Sequence, residues 1–305
     1  MTAVEPTGAA GPSPEPGAAA RTVLAPGEGR FPALHAAIEH CRSSLLPSAV
    51  LWGPDLAAVA NDPIVALMGG PPAADGEPDP AGWAVVRDLA REALATGAPV
   101  RRAQQPVPVV RHGYVEEVFV TLACTPIPAG GAGPWTGVSV VGLDVTDHVL
   151  GRRRLATLRR LGEVAAAGVR TPQQACEAAV EVLAGQRADT PFTTVHLVDH
   201  DAGAGPVLRL VASHGLDTGD TGDTGAIPLA PPDSSLARVV RTGSTEVLPA
   251  DARAHPGHRA PGSEVADTAV LLPLLVAGSA RPVGVITIGV RRGQLDEDCR
   301  AFLDL

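Results

Sequence analysis

The chain has 305 residues, 45% of them hydrophobic and 19% charged, a composition that supplies a packed core and, by length, about two domains of about 150 residues each. All 24 basic residues are Arg, and against 33 acidic residues they leave a net charge of −9, which excludes a phosphate-backbone binder, so no nucleic-acid partner is expected. The absence of Lys also excludes a Schiff-base lysine and a phosphate-loop lysine. Cys41, Cys124, Cys176 and Cys299 are far apart and form no CxxC pair, so neither a zinc knuckle nor a disulfide framework is indicated. The N-terminus has no basic and apolar regions of a signal peptide. The longest apolar run, residues 269–277, is too short to span a bilayer and is interrupted by Pro273. A cytoplasmic location with no membrane partner is therefore expected.

Residues 1–30 are rich in Ala, Gly and Pro with almost no large apolar side chains, and a disordered tail is expected there. Leu34, Ile38, Cys41 and Leu45 recur at helical spacing until Pro47. Two short strands, 49–52 and 56–60, flank the turn Gly53-Pro54-Asp55. Asn61-Asp62-Pro63 reads as the cap and first position of a short helix ending at Gly69-Gly70. Asp79-Pro80 opens a clearer helix with Trp83, Val86, Ala90 and Ala93 on one stripe, closed by Gly97. Three strands are expected at 104–111, 114–127 and 135–145, joined by His112-Gly113 and by a Gly-rich loop over 128–134.

Asp144 or Thr146 then caps a helix with the stripe Leu155, Leu158, Leu161, Ala165 and Val169, surrounded by Arg152, Arg153, Arg154, Arg159 and Arg160. Thr171-Pro172-Gln173-Gln174 is a capping box that opens a second helix lasting to Gly185. Strands follow at 192–198 and 207–213, a short helix at 235–241, strands at 268–276 and 283–290, and a last helix from Asp296. The expected fold class is α+β, two domains that are each an antiparallel sheet flanked by helices. The expected divisions are a tail (1–30), a first domain (31–148), a linker helix (149–170) and a second domain (171–305) whose final helix reads as truncated.

The order of these motifs resembles a PAS domain followed by a GAF domain. Trp52-Gly53-Pro54-Asp55-Leu56 with Asn61-Asp62 is similar to the PAS opening, residues 111–127 (RHGYVEEVFVTLACTPI) to its central strands, and residues 142–155 (GLDVTDHVLGRRRL) to its D-[IV]-T exit. Residues 171–183 (TPQQACEAAVEVL), then the strand pair LLPLLVAG and RPVGVITIGV, are similar to a GAF domain. The resemblance covers nearly everything after residue 30. It implies a sensory pair of the kind found upstream of histidine kinases or metal-dependent serine phosphatases, with such a kinase or phosphatase as expected partner. The pocket departs from the PAS pattern: Pro63, Ile64, Val120, Leu122 and Cys124 stand where related domains tend to carry aromatic residues.

The chemistry-bearing residues have modest structural readings beside their functional ones. Three tandem Asp-Thr-Gly repeats, Asp217 to Gly225, match the aspartic-protease triplet, yet their polar, tandem setting reads as an expanded loop. His255 and His258 lie among Pro and Gly with no third ligand nearby, so a solvated loop is expected rather than a metal site. His196 and His214 sit in or just past strands, where they are haem-ligand candidates or hydrogen-bonded side chains. Cys124 shares its strand parity with Val118, Val120 and Leu122 and reads as a core thiol. Glu116 and Glu117 are adjacent on a strand and cannot act as a carboxylate pair. No flavin-adduct or bilin-attachment motif is present, so the cofactor is left unknown.

The ligand-pocket candidates are Trp52, Asn61, Val120, Leu122, Cys124, His196 and His214; Leu155, Leu158 and Leu161 are the signal-helix candidates, with a homodimer through that helix as a hypothesis. No catalytic or metal site is assigned. The expected function is a non-catalytic, cytoplasmic sensor that binds a small ligand or a protein partner and transmits through the inter-domain helix. The alternatives are the truncated sensory half of a kinase or phosphatase, and a ligand-free interaction scaffold. With no phosphoacceptor-His helix pair, no Gly-rich ATP lid and no Asp cluster for paired metals, the chain is expected not to be an enzyme.

Overall fold

The computed structural model describes residues 31–73, 79–111, 114–129, 135–168, 171–202, 205–215, 226–229, 234–249, 266, 268–276, 278–279, 281–291 and 295–304. The expected tail at 1–30, the His112-Gly113 turn, the Asp-Thr-Gly repeats, His255 and His258, Val169 and most of the 128–134 loop lie outside the described residues. The chain divides into two units, Met1–Val149 and Leu150–Leu305. Each is an antiparallel sheet flanked by helices, the α+β class expected.

The first unit contains α1 (Pro32–Ser43), β1 (Ser48–Trp52), β2 (Ala57–Ala60), α2 (Asp62–Leu67), α3 (Ala81–Thr96), β3 (Val100–Arg111), β4 (Tyr114–Pro128) and β5 (Trp135–Asp144). Its sheet runs in the order β2-β1-β5-β4-β3. The period-two pattern of β4 sends Val118, Val120, Leu122 and Cys124 to one face, where α3 supplies Trp83, Val86, Leu89, Ala90 and Ala93. On the other face α1 buries Leu34, Ile38 and Cys41 against Val50, Val59 and Ile127. Each large aliphatic or aromatic side chain so buried contributes roughly 1.5–3 kcal/mol.

Two polar fixtures hold these layers. Asn61 accepts at Oδ1 from the Ser48 and Ile64 N–H groups, at 2.9 and 3.2 Å, and donates from Nδ2 to the Ser44 and Leu46 carbonyls, at 3.0 and 2.8 Å. One side chain thus caps α2 and ties it to the start of β1. Arg87 on α3 pairs with Asp79 and donates to the carbonyls of Asp55 and Leu56, at the tight β1–β2 turn where Leu56 takes φ 52°. Strand β3 begins at Val100 rather than at the Gln104 the pattern suggests. Gln104 adopts φ 51° and the ladder shifts register between Arg102 and Gln105, so a bulge hides the polar first half of the strand from any alternation count.

The helix α4 (Thr146–Ala166) leaves β5 and enters the second unit, which continues with α5 (Pro172–Ala184), β6 (Thr193–Asp199), β7 (Val207–His214), β8 (Ile227–Pro228), α6 (Ser235–Thr242), β9 (Glu246–Pro249), β10 (Thr268–Leu274), β11 (Gly284–Val290) and α7 (Glu297–Leu303). The sheet order is β8-β7-β6-β11-β10-β9. On one face Leu236 and Val239 of α6 pack with Leu208, Leu271 and Val285. On the other, Val270, Leu272, Ile288 and Val290 pack with Cys299 of α7. Strands β8 and β9 are too short to register as a sequence pattern.

Helix α4 covers its leucine stripe only in part. Leu155 is 67% exposed, whereas Leu150 and Thr157 are buried and Leu158 and Leu161 half-buried. Arg153 reaches Asp189 at 3.9 Å and Arg154 reaches Asp296 at 3.5 Å, so the covered side carries the paired arginines and Leu155 lies off it. Among the described residues no helix is long and apolar enough to cross a membrane.

Asn61→Ala should cost about 2–4 kcal/mol, since it removes an N-cap and strands the buried Ser48 N–H. Asn61→Asp, which keeps the acceptor, should recover part of that in urea titration. A loss below about 0.5 kcal/mol for Asn61→Ala would show that these bonds do not hold α2 to β1.

Candidate functional site

The inner face of the first sheet is filled. Val120, Leu122 and Cys124 are fully buried beneath Trp83, whose indole N–H donates to the Gly70 carbonyl at 2.9 Å. Burial, with the Glu92 charge adding to it, pushes the Cys124 thiol up to about 11, so it stays protonated and is no nucleophile. Trp52 lies at the end of β1 on the α1 face, packed against that smaller cluster. Asn61 spends both amide atoms on backbone partners. An open groove of about 750 Å³ runs past Pro47, Pro63, Leu67, Gly70 and Val110 to Asp144. The Asp144 carboxylate already accepts from the Thr146 N–H at 2.9 Å and O–H at 2.6 Å, as the cap of α4.

The second unit is built differently. In the β6–β11 ladder His196 stands opposite Val285, and Thr194 opposite Thr287. Val285 belongs to the core under α6, so Thr194, His196 and Thr287 all share that face. Ser213 of β7 stands opposite Thr194 from the other side, which places three hydroxyl residues side by side across β7, β6 and β11. Thr194 is 3% exposed and Thr287 0%, yet the hydroxyl of each has no hydrogen-bond partner among the described residues. A desolvated, unpaired hydroxyl costs about 1–3 kcal/mol, and this face carries two of them in adjacent strands, with a third, that of Thr193, on the opposite face of the sheet.

His214 occupies the opposite face. Its register partner is Thr193, and its Nε2 lies 3.0 Å from the Thr190 carbonyl, so Nε2 carries the hydrogen. Burial, only partly opposed by that bond, lowers its pKa below 6.5. His196 and His214 therefore cannot ligate one metal or haem together. Among the described residues no group of three or more His, Cys, Asp or Glu is placed to hold a metal. The α6 guanidinium of Arg238 is engaged with Glu246 at 2.8 Å and with Ser235 at 2.8 Å, an arrangement that also holds the Glu246 carboxyl below its ordinary value.

Sequence reasoning singled out His196 and passed over Thr194 and Thr287. In a strand a threonine reads as β-propensity alone. The available signal was parity: Thr194 and Thr287 alternate with residues of the opposite face in two expected strands.

No family model matches the chain, and no curated protein matches it. Among solved structures it is similar to the GAF domain of the Acinetobacter phosphoenolpyruvate-protein phosphotransferase, at 19% identity and TM-score 0.37 over 49% of this chain and 85% of that one. The corresponding GAF domain from Coxiella burnetii gives 19% identity and TM-score 0.38 over 50% and 86%. The free methionine-R-sulfoxide reductase of Neisseria meningitidis, in complex with its substrate, gives 19% identity and TM-score 0.35 over 50% and 83%. Reductases, which are enzymes, stand among these neighbours, so the expectation that the chain is not an enzyme does not stand. That expectation rested on missing kinase, phosphatase and protease motifs, and enzymes of another kind stand among the similar structures.

Because the folded chain keeps His214 neutral to a lower pH than an unfolded chain would, its stability is complete above the ordinary value of 6.5 and is lost as pH falls below it. His214→Gln should flatten the decline in denaturation midpoint between about pH 7 and pH 5. An identical pH slope in both proteins would contradict this assignment.

Proposed function

We propose that the chain is a two-module sensory protein, a PAS-type unit followed by a GAF-type unit, in which the second unit binds a small ligand and α4 carries the response. The observation that supports this reading most is the pair of buried hydroxyls of Thr194 and Thr287 on the α6 face, which have no partner among the described residues. A fold selected for stability alone would pair such groups or replace them with Val, whereas a binding face keeps them for a partner that arrives later. The contrast with the first unit points the same way, since its inner face is closed by Trp83 and its buried Asn61 is fully bonded.

The expected mechanism is a population shift. A ligand seated on the hydroxyls favours one packing of the sheet and its helices. Helix α4 is held to its own unit by Arg153–Asp189 and Arg154–Asp296, beside the start of β6 and the cap of α7, and a change there reorients the helix.

Native mass spectrometry of the full-length chain should show a discrete bound mass that Thr194→Val with Thr287→Val removes. A folded chain with no added mass in either form would count against ligand binding. Leu158→Pro, which breaks α4 at a cost of about 3 kcal/mol, should retain the bound mass but abolish the ligand-dependent change in hydrogen exchange over residues 31–148. An unchanged exchange response would remove α4 as the transmitter.

A further inference from the structure

We propose that the first unit pairs with a second copy of this chain, each copy seating its Leu45 in the groove that the other builds around Pro47. Helix α1 ends at Ser43, and Ser44 turns to extended backbone. Leu45, which continues the spacing of the buried Leu34, Ile38 and Cys41, is therefore left 94% exposed, with Leu46 beside it 56% exposed. Single exposed leucines are ordinary on a protein surface, but this pair sits on a firmly held backbone. Asn61 Nδ2 donates to the Ser44 and Leu46 carbonyls, at 3.0 and 2.8 Å, and the Ser48 hydroxyl donates to the Leu46 carbonyl at 2.8 Å. The Leu46 N–H donates to the Ser44 hydroxyl oxygen at 3.1 Å, and the Gly142 N–H to the Pro47 carbonyl at 2.8 Å. An apolar side chain on so fixed a turn loses little backbone freedom when a partner buries it, which suits it as a binding anchor.

The receiving surface adjoins the anchor. Pro47, the residue after the leucine pair, lines the groove of about 750 Å³ together with Pro63, Val65, Leu67 and Val110. A knob and a groove on one face can satisfy each other twice across a two-fold axis, as a self-complementary interface requires. The charges beside them are complementary in the same sense. Arg42 is exposed on the last turn of α1, three residues before the knob, and its ion pair with Glu39 at 3.1 Å is an exposed i,i+3 contact of little strength. Asp144 lines the groove, and Asp62 is exposed next to the groove-lining Pro63. Cation beside knob and carboxylates beside groove favour a second copy as occupant, with Arg42 of one protomer facing the Asp62 side of its partner and the reverse.

Sedimentation velocity of the full-length chain at rising concentration tests the pairing. The expected result is a reversible dimer whose dissociation constant is raised about tenfold or more by Leu45→Glu and by Val110→Glu. Both positions are exposed, and thermal melts confirm that each variant is folded. An equimolar mixture of the two variants again contains one intact knob facing one intact groove and should recover part of the dimer. Arg42→Glu should weaken the dimer, and Arg42→Glu with Asp62→Arg should restore it. A chain that stays monomeric to about 100 μM overturns the proposal and leaves the groove to a different protein. A dimer indifferent to Leu45→Glu and Val110→Glu overturns it in favour of another surface, such as α4. Loss of the dimer in both variants with no recovery in the mixture overturns the exchange of Leu45 between copies.

Discussion

A polar group withdrawn from water must find a partner or cost stability, and that constraint bears on both units of this chain. In the first unit it is met internally. Asn61 gives every polar atom of its side chain to backbone groups of the segment before β1 and the start of α2, and Trp83 spends its indole N–H on Gly70. In the second unit the same constraint is left open at Thr194 and Thr287. The two units therefore differ in how completely their buried polar atoms are paired among the described residues.

The consequence is a division of labour. The first sheet, closed on one side by α3 and on the other by α1, has the packing of a rigid platform. The second sheet leaves buried hydroxyls unpaired among the described residues in its two central strands, and the proposed binding face rests on that cost. Helix α4 leaves the first sheet through a cap built on Asp144 and Thr146 and is fastened within the second unit by two arginines. These anchors are long ion pairs, at 3.9 and 3.5 Å, the second with an exposed aspartate, and pairs of that kind contribute little to stability.

Much of the fold was legible in the residues themselves. The alternation Val118, Val120, Leu122, Cys124 and the stripe Trp83, Val86, Ala90, Ala93 identified the two faces that meet in the first core, and Asn61 announced its cap. Other features were invisible for physical reasons. The register shift between Arg102 and Gln105 concealed the first third of β3. The ion pairs of Arg153 and Arg154 with Asp189 and Asp296 join residues far apart in sequence, so the exposure of Leu155 could not be deduced from the leucine stripe. The candidate site was half legible: His196 drew notice as a titratable group in a strand, but Thr194 and Thr287 matter only because β6 and β11 place them opposite each other, and register is a tertiary fact.

The central claim is that Thr287 carries a hydroxyl the folded chain does not itself use. The most direct measurement is the melting temperature of the ligand-free chain against Thr287→Val, an exchange that keeps the side-chain shape and deletes the polar atom. Removing a desolvated, unpaired hydroxyl should raise the midpoint by about 2–4 °C. A fall of similar size would mean that the hydroxyl already has a partner within the protein, and the binding face described for the second unit would lose its foundation.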